Sequence, residues 1–342
     1  AEADPARAVD IQKLEAIVEK LAQAMKKSPR ADEFYDVTSK KREQLRETAA
    51  LAQTLQGNLL EEFGIRHERT MRSLYHSSDE TVPGSLETPD LPDPQYVLHN
   101  MRKILTLEKK APGAVKFLYE QRGIRNFARY DEAFWRRQFE ERNDPAPYAL
   151  LIGASSLEDN ASSETSVYTD LQNKLKKLPE KHLLRYIEVE TVSELFRLIT
   201  RLDTTYNSDG STPIPLVIYD GHGTSERIFL QGKNFGKDEL RHPRFEDLFL
   251  KHLDKTFSST ALFVFGSCEA NLKTWSNRQI SLAEVFRNTL QNLHSRKIRV
   301  SATEDSATQF TKLEPSQNKD GSLSLKIQSS SHESGVPKYK NA

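Results

Sequence analysis

One cysteine in 342 residues, Cys268, leaves no internal disulfide and no cysteine-rich zinc site. Charge of one sign is missing too. The 49 Lys+Arg balance 49 Asp+Glu, which argues against a dedicated nucleic-acid binder, whose affinity rests on neutralising phosphates. No apolar run approaches the roughly 20 residues of a membrane-spanning helix, so we expect no membrane span. Hydrophobic residues are scarce at 37% against 29% charged, and the mean hydropathy is -0.66. Such a composition places a good core in part of the chain and solvated helices or polar segments elsewhere. At about 150 residues per domain the length suggests two domains. The chain begins Ala1-Glu2-Ala3 without a methionine. That fits a removed signal peptide or an engineered start, so a soluble protein is expected in either a cytoplasmic or a secreted compartment. No residue pattern calls for a cofactor or a bound metal, and we expect none.

What is present divides into unlike parts. Residues 1–76 read as a helical hairpin or coiled-coil-like domain. Ile11, Leu14, Val18, Leu21 and Met25, then Leu51, Leu55, Leu59 and Phe63, recur every three or four positions on charged helices. A packing or partner-binding role suits so narrow a stripe, with a protein partner engaged through these helices. Residues 77–96 hold Pro83, Pro89, Pro92 and Pro94 and read as an exposed linker. Residues 97–146 read as a basic helical connector in which Arg122, Arg125 and Arg129 belong to a solvated face.

From Pro147 the texture changes. Short apolar runs at Tyr148–Gly153, Leu183–Val189, Pro215–Tyr219, Ala261–Phe265 and Lys297–Ser301 read as strands. Between them lie amphipathic helical stretches, one opened by the capping box Thr191-Val-Ser-Glu194 and another marked by Phe245, Leu248, Phe249 and Leu253. Alternation of this kind predicts an α/β three-layer sandwich with a mostly parallel sheet over 147–310, preceded by all-helical structure. Residues 311–342 read as a polar, partly disordered tail, in which Ser322–Ile327 suggests one more strand.

In an open parallel sheet the functional crevice lies beyond the carboxyl ends of the strands. Two of those ends carry reactive groups: the third strand leads to His222, flanked by Gly221 and Gly223, and the fourth to Cys268. If these strands are neighbours, thiol and imidazole meet on one edge. A thiolate–imidazolium pair supplies first a nucleophile and then a proton for a leaving amine. The N–H of Gly223 is placed to help form an oxyanion hole.

The stretches PLVIYDGHG at 215–223 and ALFVFGSCEAN at 261–271, with Cys268 following His222 by 46 positions, resemble the caspase-like cysteine peptidases of clan CD. The resemblance covers roughly residues 147–305. GSCEAN is similar to the corresponding segment of CHAT proteases, whereas IRVSATEDSATQF is closer to the autoprocessing cysteine protease domains of bacterial toxins. It implies a caspase-like sandwich and a cysteine endopeptidase acting on a protein or peptide substrate. It also implies a general base and acid at His222, a nucleophile at Cys268, and an oxyanion hole from the N–H groups of Gly223 and Cys268. The primary specificity pocket maps loosely to Gly153–Ser155, Phe265–Ser267 and Ser301–Asp305, which brings in Ser267, Ser301, Glu304 and Asp305. Two carboxylates there favour cleavage after Arg or Lys. A surface role for both acids, or a small pocket for Leu as in the toxin domains, stays open. Two rival readings exist. Tyr219–Gly223 also resembles a motif of metal-dependent Ser/Thr phosphatases, though the upstream aspartates of that family have no counterpart. The other is a catalytically silent caspase-like scaffold.

Overall fold

The computed structural model describes residues 9–28, 39–65, 93–154, 165–221, 227–228, 235–236, 256–266, 283–288, 298–303, 308–331 and 339–341. These form two compact units, one from residues up to Phe139 and one from Glu140 onward.

In the first unit, α1 (Ile11–Lys26), α2 (Ser39–Glu62) and α3 (Pro94–Lys110) pack against one another. The sequence stripes are the buried faces of these helices: Leu14, Val18 and Leu21 of α1, Leu55 and Leu59 of α2 with Phe63 just after it, and Val97, Met101 and Ile104 of α3 are all buried. Asp10 starts α1 by accepting from the N–H groups of Gln12 and Lys13 at 3.0 and 3.2 Å. Asp93 starts α3 in the same way from Gln95 at 2.8 Å. The expected linker is therefore corrected at its end. Pro94, Gln95 and Tyr96 are the first turn of α3, because a proline at the first helical position gives up a hydrogen bond that position lacks anyway. The preceding residues, 77–92, lie outside the described set.

Helices α4 (Ala114–Arg122) and α5 (Glu132–Glu140) follow. The basic segment is not simply a solvated face: Arg122 and Arg129 are buried. Their guanidinium groups lie 5.7 Å from the centre of the Phe117 ring and 5.8 Å from that of Tyr130.

The second unit is built on a six-stranded sheet. Its strands are β1 (Tyr148–Ala154), β2 (Leu183–Val189), β3 (Ile214–Asp220), β6 (Phe257–Phe265), β7 (Arg299–Thr303) and β10 (Tyr339–Asn341). The spatial order is β10-β7-β6-β3-β1-β2, parallel throughout except for β10. Two-residue strands β4 (Arg227–Ile228) and β5 (Phe235–Gly236) pair separately. All seven residues of β1, of β2 and of β3 are buried, as parallel strands covered on both faces are.

One face of the sheet carries α7 (Val192–Tyr206) and the helical residues 283–288, with Leu198, Ile199, Leu202 and Phe286 packed on Leu150, Val217, Phe263 and Val300. The other face carries α6 (Thr165–Leu175), which contacts β2, and the antiparallel hairpin of β8 (Thr308–Gln317) and β9 (Leu323–Ser331), which contacts β3 and β6. The expected three-layer α/β sandwich is thus present, with a β-hairpin filling part of one outer layer. The expected cap at 191–194 forms with its return bond shifted by one residue. Glu194 N–H donates to Thr191 Oγ1 at 3.1 Å, while the Glu194 carboxylate accepts from the N–H of Glu190 at 3.0 Å. Within 311–342 the expected polar tail is corrected: residues 311–317, 323–331 and 339–341 are strand, the second of these where Ser322–Ile327 had suggested one. Phe310, Leu313 and Leu323 are buried and anchor a hairpin whose other residues are mostly polar. The helix expected around 245–253 lies outside the described residues.

Candidate active site

Strands β3 and β6 are hydrogen-bonded neighbours running in parallel, with Leu216 opposite Leu262 and Tyr219 opposite Phe265. Both therefore end on the same edge of the sheet. Neighbouring strands are about 4.8 Å apart, and the bonding continues past the ladder: Gly266 N–H donates to Tyr219 O at 2.7 Å. In sequence His222 follows Gly221 directly, and Cys268 stands two residues after Gly266. His222, Gly223, Ser267, Cys268, Glu304 and Asp305 themselves lie outside the described residues.

The two strand ends have a reason to be glycine. At Gly266 a Cβ would stand 2.7 Å from Phe310 Cε2 and 2.9 Å from Tyr219 O. At Gly221 it would stand 2.7 Å from the Tyr219 hydroxyl and 3.5 Å from Ala154 Cβ, at the end of β1. Side chains alternate across a strand, and Tyr219 belongs to the core under α7 while Phe310 comes from the hairpin on the opposite face. The chain leading to His222 and the chain leading to Cys268 are thus each fixed by an aromatic ring, from opposite sides of the sheet. At Gly153, near the end of β1, the Tyr186 phenol from β2 occupies the space a side chain would need.

Of Ser267, Ser301, Glu304 and Asp305, Ser301 alone is among the described residues. It is buried within β7, opposite Val264 of β6 and Asn341 of β10, two residues before the end of its strand. Residues that sequence reasoning did not single out also gather near this edge. Asp220 and Glu188 are both buried and lie in register with Gly153 from either side. Asp220 was visible only as part of the Asp-Gly-His-Gly motif, and Glu188 only as one of two charged positions, with Arg185, in the run Leu183–Val189. Phe310 gave no local signal, since its role rests on a contact with a residue 44 positions earlier.

Among the described residues no group of three or more His, Cys, Asp or Glu is arranged to hold a metal ion, and no helix is long and apolar enough to cross a membrane. The parallel, doubly wound sheet also differs from the architecture that the phosphatase resemblance implies.

No protein-family model matches the chain, and no curated protein does. Among solved structures, one titled "Structure of Protease" is similar over 63% of this chain and 35% of its own, at 11% identity and a TM-score of 0.24. The matched region is thus about a third of that protein, and a TM-score this low does not define a common fold.

Proposed function

We propose that the chain is a cysteine endopeptidase of caspase-like type, in which Cys268 is the nucleophile and His222 the general acid and base. One observation carries this reading: β3 and β6 are adjacent and parallel, so the segments that the sequence continues to His222 and to Cys268 leave the sheet from one edge, joined by the Gly266–Tyr219 hydrogen bond. The motif resemblance at 215–223 and 261–271 supports it independently.

The chemistry follows from the residue types. The Cys268 thiol gives its proton to His222, and the thiolate attacks the scissile carbonyl carbon. The resulting oxyanion is held by the N–H groups of Gly223 and Cys268. His222 then protonates the leaving amine as the C–N bond breaks, which leaves a thioester. Water, deprotonated by His222, attacks that thioester; the C–S bond breaks, releasing the carboxylic product and restoring the thiol. Ser267, Ser301, Glu304 and Asp305 form the pocket for the residue before the scissile bond, and the carboxylates select Arg or Lys. The helices of the first unit regulate or target the enzyme.

Profiling with a peptide library, in parallel with Cys268→Ala, tests this reading. The variant is expected to lose essentially all cleavage and all labelling by thiol-directed peptide warheads. Cleavage that survives in Cys268→Ala removes the proposal.

A further inference from the structure

We infer that Phe310 is a positioning residue for the nucleophile, a role that rests on the reading of Cys268 and His222 given above. Phe310 is buried at the start of β8. Its ring edge occupies the place a side chain would take at Gly266, the last described residue before Cys268. Gly266 also donates its N–H to Tyr219 O at 2.7 Å, and that oxygen would stand 2.9 Å from the same Cβ position. It is therefore tied to a backbone acceptor on β3 and crowded by an aromatic ring from the hairpin. Any sideways drift of this residue would stretch the bond or press on the ring. Cys268 follows only two residues later, about 7 Å of extended chain at most. A shift at position 266 thus moves the origin of the short segment that carries the thiol. The hairpin, rather than the sheet alone, sets where the nucleophile stands relative to the imidazole that emerges from β3. Misplacement of a reacting group by about 1 Å costs on the order of 10²-fold in rate, so the ring affects turnover without touching substrate.

The test uses the full chain and exploits its single thiol. The rate of Cys268 alkylation by iodoacetamide is measured against pH for the parent, His222→Ala, Phe310→Ala, Phe310→Leu and Leu313→Ala, alongside kcat, KM and melting temperature. Leu313 is fully buried in the same strand and controls for lost packing. In the parent, an ion-paired thiol reacts well below the free-cysteine pKa of about 8.5, and His222→Ala abolishes that reactivity. Phe310→Ala is expected to move the alkylation profile towards the free-thiol value and to lower kcat on the order of 10²-fold, with KM within about twofold. Phe310→Leu should restore part of both. Leu313→Ala should lower the melting temperature and leave the profile in place. If Phe310→Ala shifts only the melting temperature, as Leu313→Ala does, the positioning role is overturned and the peptidase reading stands. If the parent thiol titrates like free cysteine and is indifferent to His222→Ala, the peptidase reading falls and the positioning role falls with it. Should either alanine variant fail to fold, Phe310→Leu decides: a profile identical to the parent's overturns the role.

Discussion

Gly266 donates its N–H to the carbonyl of Tyr219 at 2.7 Å, one residue beyond the last paired position of β6. The two strands thus remain joined up to the point where each gives way to a segment carrying a reactive side chain. A parallel ladder that ended earlier would leave both segments to find their separation independently.

Gly266→Ala tests that junction. The new methyl would meet Phe310 Cε2 at 2.7 Å and Tyr219 O at 2.9 Å. Neither a buried ring nor a bonded carbonyl yields cheaply, so a loss of about 1–3 kcal/mol is expected, with a fall in turnover. Urea unfolding reads the first effect and a fluorogenic peptide the second. Stability equal to the parent's would mean that the hairpin moves aside freely.

Arg185 is a second stress point. Buried on β2, it lies 3.4 Å from the centre of the Tyr206 ring and 5.1 Å from that of Tyr148, and donates to Asp144 O at 2.5 Å. Burial lowers its pKa below the usual arginine range, while the neighbouring tyrosines and acids oppose this. Lysine keeps the charge but loses the flat stacking surface and the fork of donors. Arg185→Lys should destabilise the second unit by about 2–3 kcal/mol, read as a lower urea midpoint with an unchanged slope. A midpoint within error of the parent's would refute the importance of the stack.

Two carboxyl groups should move stability with pH in opposite directions. Burial raises the pKa of Glu108 above 4.5, against the lowering effect of the Gly113 and Val115 N–H groups. The folded state then holds this proton more tightly than the unfolded state. Its stabilisation is complete below the unfolded pKa and is lost as pH rises through the folded one. Asp144 is the reverse: the hydrogen bond from Lys181, helped by the Ala146 N–H, lowers its pKa below 3.8. Its stabilisation is present above the unfolded pKa and is lost as pH falls through the folded one. Glu108→Gln should therefore flatten a decline above about pH 4.5, and Asp144→Asn a decline below about pH 4. Urea midpoints from pH 2.5 to 7 check both; slopes unchanged in either variant would refute the assignment for that residue.

On the proposed function, Glu304 and Asp305 set the specificity. Matched fluorogenic peptides that differ only before the scissile bond should be cleaved fastest after Arg or Lys. Glu304→Gln with Asp305→Asn should reduce that preference by about tenfold or more, since an unpaired charge in a partly desolvated pocket costs several kcal/mol. Preference for Asp or Leu, unaffected by both substitutions, would leave these acids as surface residues.

The central sheet is legible because a parallel strand covered on both faces is apolar along nearly its whole length, and Tyr148–Gly153 and Pro215–Tyr219 read as strands from that alone. The start of α3 was misread because a proline that opens a helix looks, in sequence, like one that forbids it. The buried Arg122 and Arg129 were misread because charge ordinarily marks a solvated face, whereas these guanidinium groups lie against aromatic rings. The β8–β9 hairpin was half legible: Ser322–Ile327 suggested a strand, but its partner carries Lys312, Glu314 and Pro315 among few apolar residues. At the candidate site the strand ends at Asp220 and Phe265 could be read from local runs. The ring of Phe310 could not, since it meets Gly266 only after the chain has crossed into β7 and turned back.

The edge strand β10 has a consequence for how copies of this chain behave towards one another. An exposed parallel strand is an open template that any extended segment can join. Among the described residues β7 is paired on this side by Tyr339–Asn341, so the outermost strand there is three residues long. An edge so short offers a second molecule few backbone bonds for a stacked, fibre-like association. Three residues thus limit self-templating at this end of the six-stranded sheet.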